Sequence, residues 1–151
     1  MKDFINKPSY TTQKDTTVNL FIQSLIDVES SGDDAAIGDN GKAKGCLQIW
    51  NIVVEDVNRL YNTNYTHDDV FDREKAVQIC VYYLTYWGEF YENAMHCKPT
   101  YEILARIWNG GPHGWAKDST LPYWEKVKQR LHELSPTTNL SEQGVVPASI
   151  R

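Results

Sequence analysis

A chain of 151 residues is the size of one compact domain, and its 41% hydrophobic and 23% charged residues suffice for a core and exclude a disordered chain. The formal charge of −5, from 20 acidic against 15 basic residues with no basic cluster, argues against nucleic acid as a partner. Five Trp, nine Tyr and four Phe suit either a core or a groove that stacks on planar or sugar rings.

Met1 to Pro8 lacks the apolar run of about 7 to 15 residues found in a secretory signal, and no later stretch reaches the roughly 18 apolar residues of a membrane span. The expectation is cytosolic synthesis and no membrane insertion. Asp15-Thr16-Thr17 supplies capping groups before Val18, Phe21, Ile22, Leu25, Ile26 and Val28, predicting an amphipathic helix over about 17–30. Ser31-Gly32-Asp33-Asp34 ends it, and the glycine-rich stretch 38–45 reads as a loop or short hairpin. A second helix follows Leu47-Gln48-Ile49-Trp50 and runs through Val53, Val54, Val57 and Leu60 to the Asn62-Thr63-Asn64 break. Asp72 caps a long central helix over about 73–92, with Ala76, Ile79, Cys80, Tyr83, Leu84 and Trp87 on one face. Thr100 caps another, carrying Ile103, Leu104, Ile107 and Trp108 and stopped by Asn109-Gly110-Gly111-Pro112. The last spans about 121–134 on Tyr123, Val127, Leu131 and Leu134. Beyond Pro136 the composition predicts a flexible tail over 136–151. Cys46, Cys80 and Cys97 are odd in number and lack CxxC spacing, so they read as reduced structural thiols. No metal or other cofactor is expected.

Glu29 breaks this pattern, because the steps 18, 22, 25, 29 place it in line with Val18, Ile22 and Leu25. A carboxylate ending an apolar stripe either holds its proton more tightly than usual or lines a cleft. Both outcomes suit a general acid, whereas the plainer reading is a last-turn residue leaning into solvent. The neighbouring motifs favour the acid. Val28-Glu29-Ser30-Ser31-Gly32 is succeeded by Gly38-Asp39-Asn40-Gly41, by Gly45-Cys46-Leu47-Gln48-Ile49, and later by Ile107-Trp108-Asn109-Gly110-Gly111. In this order the blocks resemble the lysozyme-like superfamily of goose-type lysozymes and lytic transglycosylases, glycoside hydrolase family 23, over roughly residues 17–134.

The resemblance implies a mainly α, α+β lysozyme-like fold: one helical domain over 17–135 with a small hairpin beside the cleft, an N-terminal extension over 1–16, and the tail. It implies cleavage of the β-1,4 bond between N-acetylmuramic acid and N-acetylglucosamine in peptidoglycan, by lytic transglycosylation or hydrolysis, with Glu29 as general acid. Ser30 matches the residue after the acid and is a secondary candidate for orienting the carboxyl or a sugar substituent. Gln48 is expected to line the cleft and offer a donor and an acceptor to a sugar acetamido group, with Ile49 contributing backbone groups and wall. Asn109 is expected to face the sugar, and Trp108 stands where the family more often has Tyr. Asp39 matches the first water-positioning aspartate of the goose type, although Asp-Asn-Gly is also a common turn. Trp50 stands where the second aspartate would be, and Trp50, Trp115 and Trp124 are assigned to no site.

The expected partner is the glycan strand, met by a monomer. A wall-degrading domain lacking signal, span and disulfides points to a phage-type lysin or a virion-borne enzyme, and next to a secreted effector. The chain carries net −7 over residues 1–97 and net +2 over 98–151, so its later part is the better suited to face an anionic wall. The rival readings are a catalytically weak glycan-binding or virion structural module and a chitinase-like glycosidase. A pure binder has no need of the cleft acid.

Overall fold

A computed structural model describes residues 13–136 of the chain, with side chains from Val18 onward. Five helices carry the fold: α1 Gln13–Ser30, α2 Asn51–Tyr61, α3 Arg73–Met95, α4 Tyr101–Gly110 and α5 Leu121–Leu134. A hairpin of β1 Ile37–Gly38 and β2 Ala43–Lys44 lies between α1 and α2 and pairs antiparallel, Ile37 with Lys44 and Gly38 with Ala43. The class is the expected one, mainly α with a small two-stranded sheet.

α1 begins earlier than its sequence signals indicate. Asp15, Thr16 and Thr17 lie inside the helix and do not cap it, and the expected boundary at 16/17 falls within α1. The expected tail, from 137 on, lies outside the described residues. Phe21, Leu25 and Ile26 of α1 enter the core with Ile79, Cys80 and Leu84 of α3, Leu104 and Ile107 of α4, and Trp124, Val127 and Leu131 of α5. α1 lies along α5, and Arg130 Nε donates to Asp27 Oδ2 at 2.7 Å across that contact.

The long helix α3 starts where its cap predicts, since the Asp72 carboxylate accepts from the Lys75 N–H. α4 likewise starts under Thr100, whose hydroxyl accepts from the Ile103 N–H, and stops at Gly111, whose φ of +84° only glycine adopts readily. The loop from Gly111 to Thr120 is then pinned to α4 by Arg106, a buried cation. Its guanidinium donates to Thr120 Oγ1 at 2.9 Å, the Lys117 carbonyl at 3.2 Å and Glu102 Oε1 at 3.0 Å. These bonds satisfy a charge that burial would otherwise penalise, and they fix where α5 begins.

The hairpin is fixed by contact as much as by pairing. Gly45 has φ +75°, and a Cβ there would collide with the Val70 carbonyl oxygen. Gly45→Ala should therefore lower stability by about 2 kcal/mol or more, from left-handed strain plus overlap. A thermal unfolding midpoint lowered by about 5 °C is the expected reading for a domain of this size. An unchanged midpoint would mean that the hairpin is not packed on Val70.

Candidate active site

α1 delivers Glu29 in its last turn, and Ser31 and Gly32, at φ +56° and +85°, then turn the chain away. The turn is tied down by Ser30, whose Oγ donates to the Cys46 carbonyl at 2.8 Å and accepts from the Asp33 N–H at 3.1 Å. The Ser30 hydroxyl is thus occupied within the protein, and Ser30 does not line the cleft.

Glu29 opens into a cleft of about 610 Å3. One wall comes from the start of α2, with Trp50, Ile52, Val53 and Asp56. The other comes from the end of α4, with Trp108, Asn109, Gly111 and Pro112, while Tyr83 of α3 and the hairpin residues Asp39 and Gln48 complete the lining. A volume of this order fits a drug-sized ligand or a short oligomer.

The Glu29 carboxyl is held from two sides. The Tyr123 hydroxyl of α5 donates to Oε1 at 2.7 Å, and the Trp108 indole N–H bonds to the carboxyl as well. Burial raises the pKa from the ordinary 4.5 to about 7, outweighing the two hydrogen bonds, which favour the ionised form; the nearby Asp39 charge adds a smaller upward push. Among the described residues it is a carboxyl that stays substantially protonated at neutral pH. Proton donation at neutral pH needs such a group.

Of the residues picked from the sequence, Glu29, Asp39, Gln48, Ile49, Trp108 and Asn109 come together in this one cleft. Asp39 is exposed there and sits at φ +48° beside Asn40 at +55°, a left-handed pair that is uncommon outside turns and functional sites. The Asn109 side chain makes no hydrogen bond to a described residue and is exposed at the cleft wall. Gln48 differs from expectation: its Nε2 donates to the carbonyls of Gly45 at 3.0 Å and Ala36 at 3.3 Å. Its Oε1 lies where a Cβ on Gly38 would be. The amide therefore braces the hairpin with its donor. Ile49 is fully buried, and its backbone is taken by Lys44 and by His67 Nε2, which meets the Ile49 carbonyl at 2.7 Å.

Four lining or contacting residues lie outside those picked from the sequence. Tyr123 and Tyr83 read as core positions, and Asp56 as an ordinary helix residue. Trp50, assigned to no site on sequence grounds, is 41% exposed at the cleft, with the Lys42 ammonium 5.5 Å above its ring. Its adjacency to Gln48-Ile49 is the signal that could have found it. Trp124 is core, as its helical spacing suggests, and Trp115 is half-buried against Tyr91.

No protein-family model matches the chain. Over 40 residues, 26% of this chain and 29% of the relative, the sequence is 50% identical to a lysozyme from Magallana gigas. The relationship is lysozyme-like. It spans less than a third of that lysozyme's length. The described residues bring no three His, Cys, Asp or Glu side chains close enough to hold a metal ion, and Cys46 and Cys80 are buried free thiols. No described helix is long and apolar enough to cross a membrane.

Proposed function

We propose that this protein cleaves the β-1,4 bond between N-acetylmuramic acid and N-acetylglucosamine in peptidoglycan, with Glu29 as the general acid. The observation that carries the reading is a carboxyl with a pKa of about 7, held by Tyr123 and Trp108 in an open cleft. Glu29 gives its proton to the bridging oxygen as the bond from that oxygen to the anomeric carbon breaks, and positive charge develops on the sugar ring. The partial lysozyme match supports glycan as the substrate class. The lining of one chain supplies every group this step needs, which supports action as a monomer.

Hydrolysis is the better supported of the two outcomes for the second step. Asp39 and Asp56 both reach the cleft, and the Asp39 carboxylate has no hydrogen bond to a described residue. In this reading the oxygen of a water bonds to the anomeric carbon, and its proton passes to the Asp39 carboxylate. Asp56 is held at 2.7 Å by Arg59, which leaves it the weaker candidate. The alternative is attack by the substrate's own 6-hydroxyl, which needs no such carboxylate. Mass spectrometry of digested peptidoglycan decides: a reducing end carrying one added water is expected, and a 1,6-anhydro end would assign transglycosylation. Asp39→Asn is expected to slow release of the hydrolysed product by about 100-fold, the low end of what a positioned base contributes. An unchanged rate would remove Asp39 from the mechanism.

A further inference from the structure

α3 carries an aromatic row that begins inside the cleft and leaves it. Positions 83, 86, 87 and 90 share one side of the helix by their spacing of three and four. Tyr83 lines the cleft and meets Trp108 edge-on at 5.8 Å. Trp87 lies 6.4 Å from Tyr83 and is met edge-on by Tyr86 at 4.9 Å and Phe90 at 5.5 Å. Phe90 in turn meets the ring of His113 at 5.9 Å, and His113 follows Pro112 of the cleft wall. The row is therefore joined to the cleft lining at both ends.

Two of these rings are open to water, Tyr86 at 37% and Phe90 at 43% exposure. They stand one helical turn apart, about 6 Å along the axis, comparable to the advance per single sugar, half the disaccharide repeat, in a β-1,4-linked chain. Beneath them the Trp87 indole N–H is out of water with no acceptor among the described residues. Contiguous exposed aromatics of this kind mark a surface that meets something. The cleft decides what. At about 610 Å3 it encloses only a short oligomer, so a polymer cut inside it must run out over its rim, and the row is continuous with that rim.

We propose that Tyr86, Trp87 and Phe90 form an outer stacking surface for the glycan strand where it leaves the cleft. The proposal rests on the reading of the cleft as a glycan site. Apolar faces of successive sugar rings lie on the exposed Tyr86 and Phe90 rings, adding affinity for long strands without touching the bond that is cut.

The test compares wild type with a Tyr86→Ser, Phe90→Ser double variant and with each single variant, using long glycan strands purified from peptidoglycan and a tetramer of two N-acetylglucosamine–N-acetylmuramic acid disaccharides, which keeps one internal bond of the kind that is cut. Loss of two stacked rings should raise KM for long strands by about tenfold with kcat unchanged, and leave the tetramer's kinetics as they were. Strand binding is also titrated by tryptophan fluorescence in a Glu29→Gln background, where the double variant should bind about tenfold more weakly. An unchanged KM on long strands, or an equal loss on both substrates, overturns the proposal while the cleft reading stands. If wild type cleaves neither substrate the cleft reading fails, and the titration still tests the row by itself. Concentration-dependent dimerisation relieved by the double variant, without effect on strand binding, would assign the face to a second copy of this chain and also overturn it. Thermal unfolding checks that each variant is folded, and Phe90→Gln alone serves if the double variant is not.

Discussion

Glu29→Gln should lower glycan cleavage by about 10²- to 10⁴-fold or more, the contribution of a positioned proton donor, and at the same time stabilise the fold at neutral pH. The two effects share one cause. Burial makes the native state hold the Glu29 proton up to a pKa of about 7, against the ordinary 4.5 that applies once the chain unfolds. Between those values the native state binds more protons than the unfolded one, so stability falls as pH rises through that window and is lowest above about 7. The gap corresponds to about 3 kcal/mol as an upper bound, reduced because the residue is partly exposed. Gln keeps an acceptor for Tyr123 and carries no charge to bury. The variant should gain about 1 to 3 kcal/mol over wild type at pH 8 and nothing at pH 4, read from urea unfolding at each pH. Equal pH dependence in both proteins would mean that Glu29 is solvated, and full activity in the variant would remove it as the acid. Wild-type cleavage should in turn be greatest below about pH 7, falling about tenfold per pH unit above it.

Local signals carried most of the helical layout. The caps at Asp72 and Thr100 and the glycine stop after Asn109 act within one turn, so the chain states them directly. α1 is the exception, because Asp15-Thr16-Thr17 looks like a cap while the helix continues back to Gln13; helix-compatible neighbours on the N-terminal side outweighed the capping groups. Glu29 was legible because it interrupts a periodic stripe. What holds it was not: Tyr123 lies 94 residues away, and its place in the stripe with Val127 and Leu131 reads as core until α1 is laid against α5. Trp108 reads as a wall that lacks a hydroxyl, whereas its indole N–H reaches the same carboxyl. Gln48 and Ser30 carry amide or hydroxyl groups that suit a sugar, but the hairpin and the turn after α1 use those groups first. Residue type shows what a side chain offers, and only the fold shows which neighbour takes it.

Tyr123→Phe separates holding the acid from forming the core, because the ring that packs stays and only the hydroxyl goes. That hydroxyl donates to Glu29 Oε1 at 2.7 Å and favours the ionised carboxyl. Without it the Glu29 pKa should rise further above about 7, by roughly one pH unit for the loss of a hydrogen bond to a charged group. More of the acid is then protonated at pH 7, which alone would favour the reaction. The carboxyl has also lost the contact that aims it at the bridging oxygen, and misplacement of a proton donor is the larger effect. The expected result is therefore a fall in kcat of about 10- to 100-fold, together with an alkaline limb of the pH profile moved upward. A merely structural tyrosine would lower stability and leave that limb in place. A limb that stays at the wild-type pH while kcat falls would show that Tyr123 does not bond to Glu29 in the working enzyme.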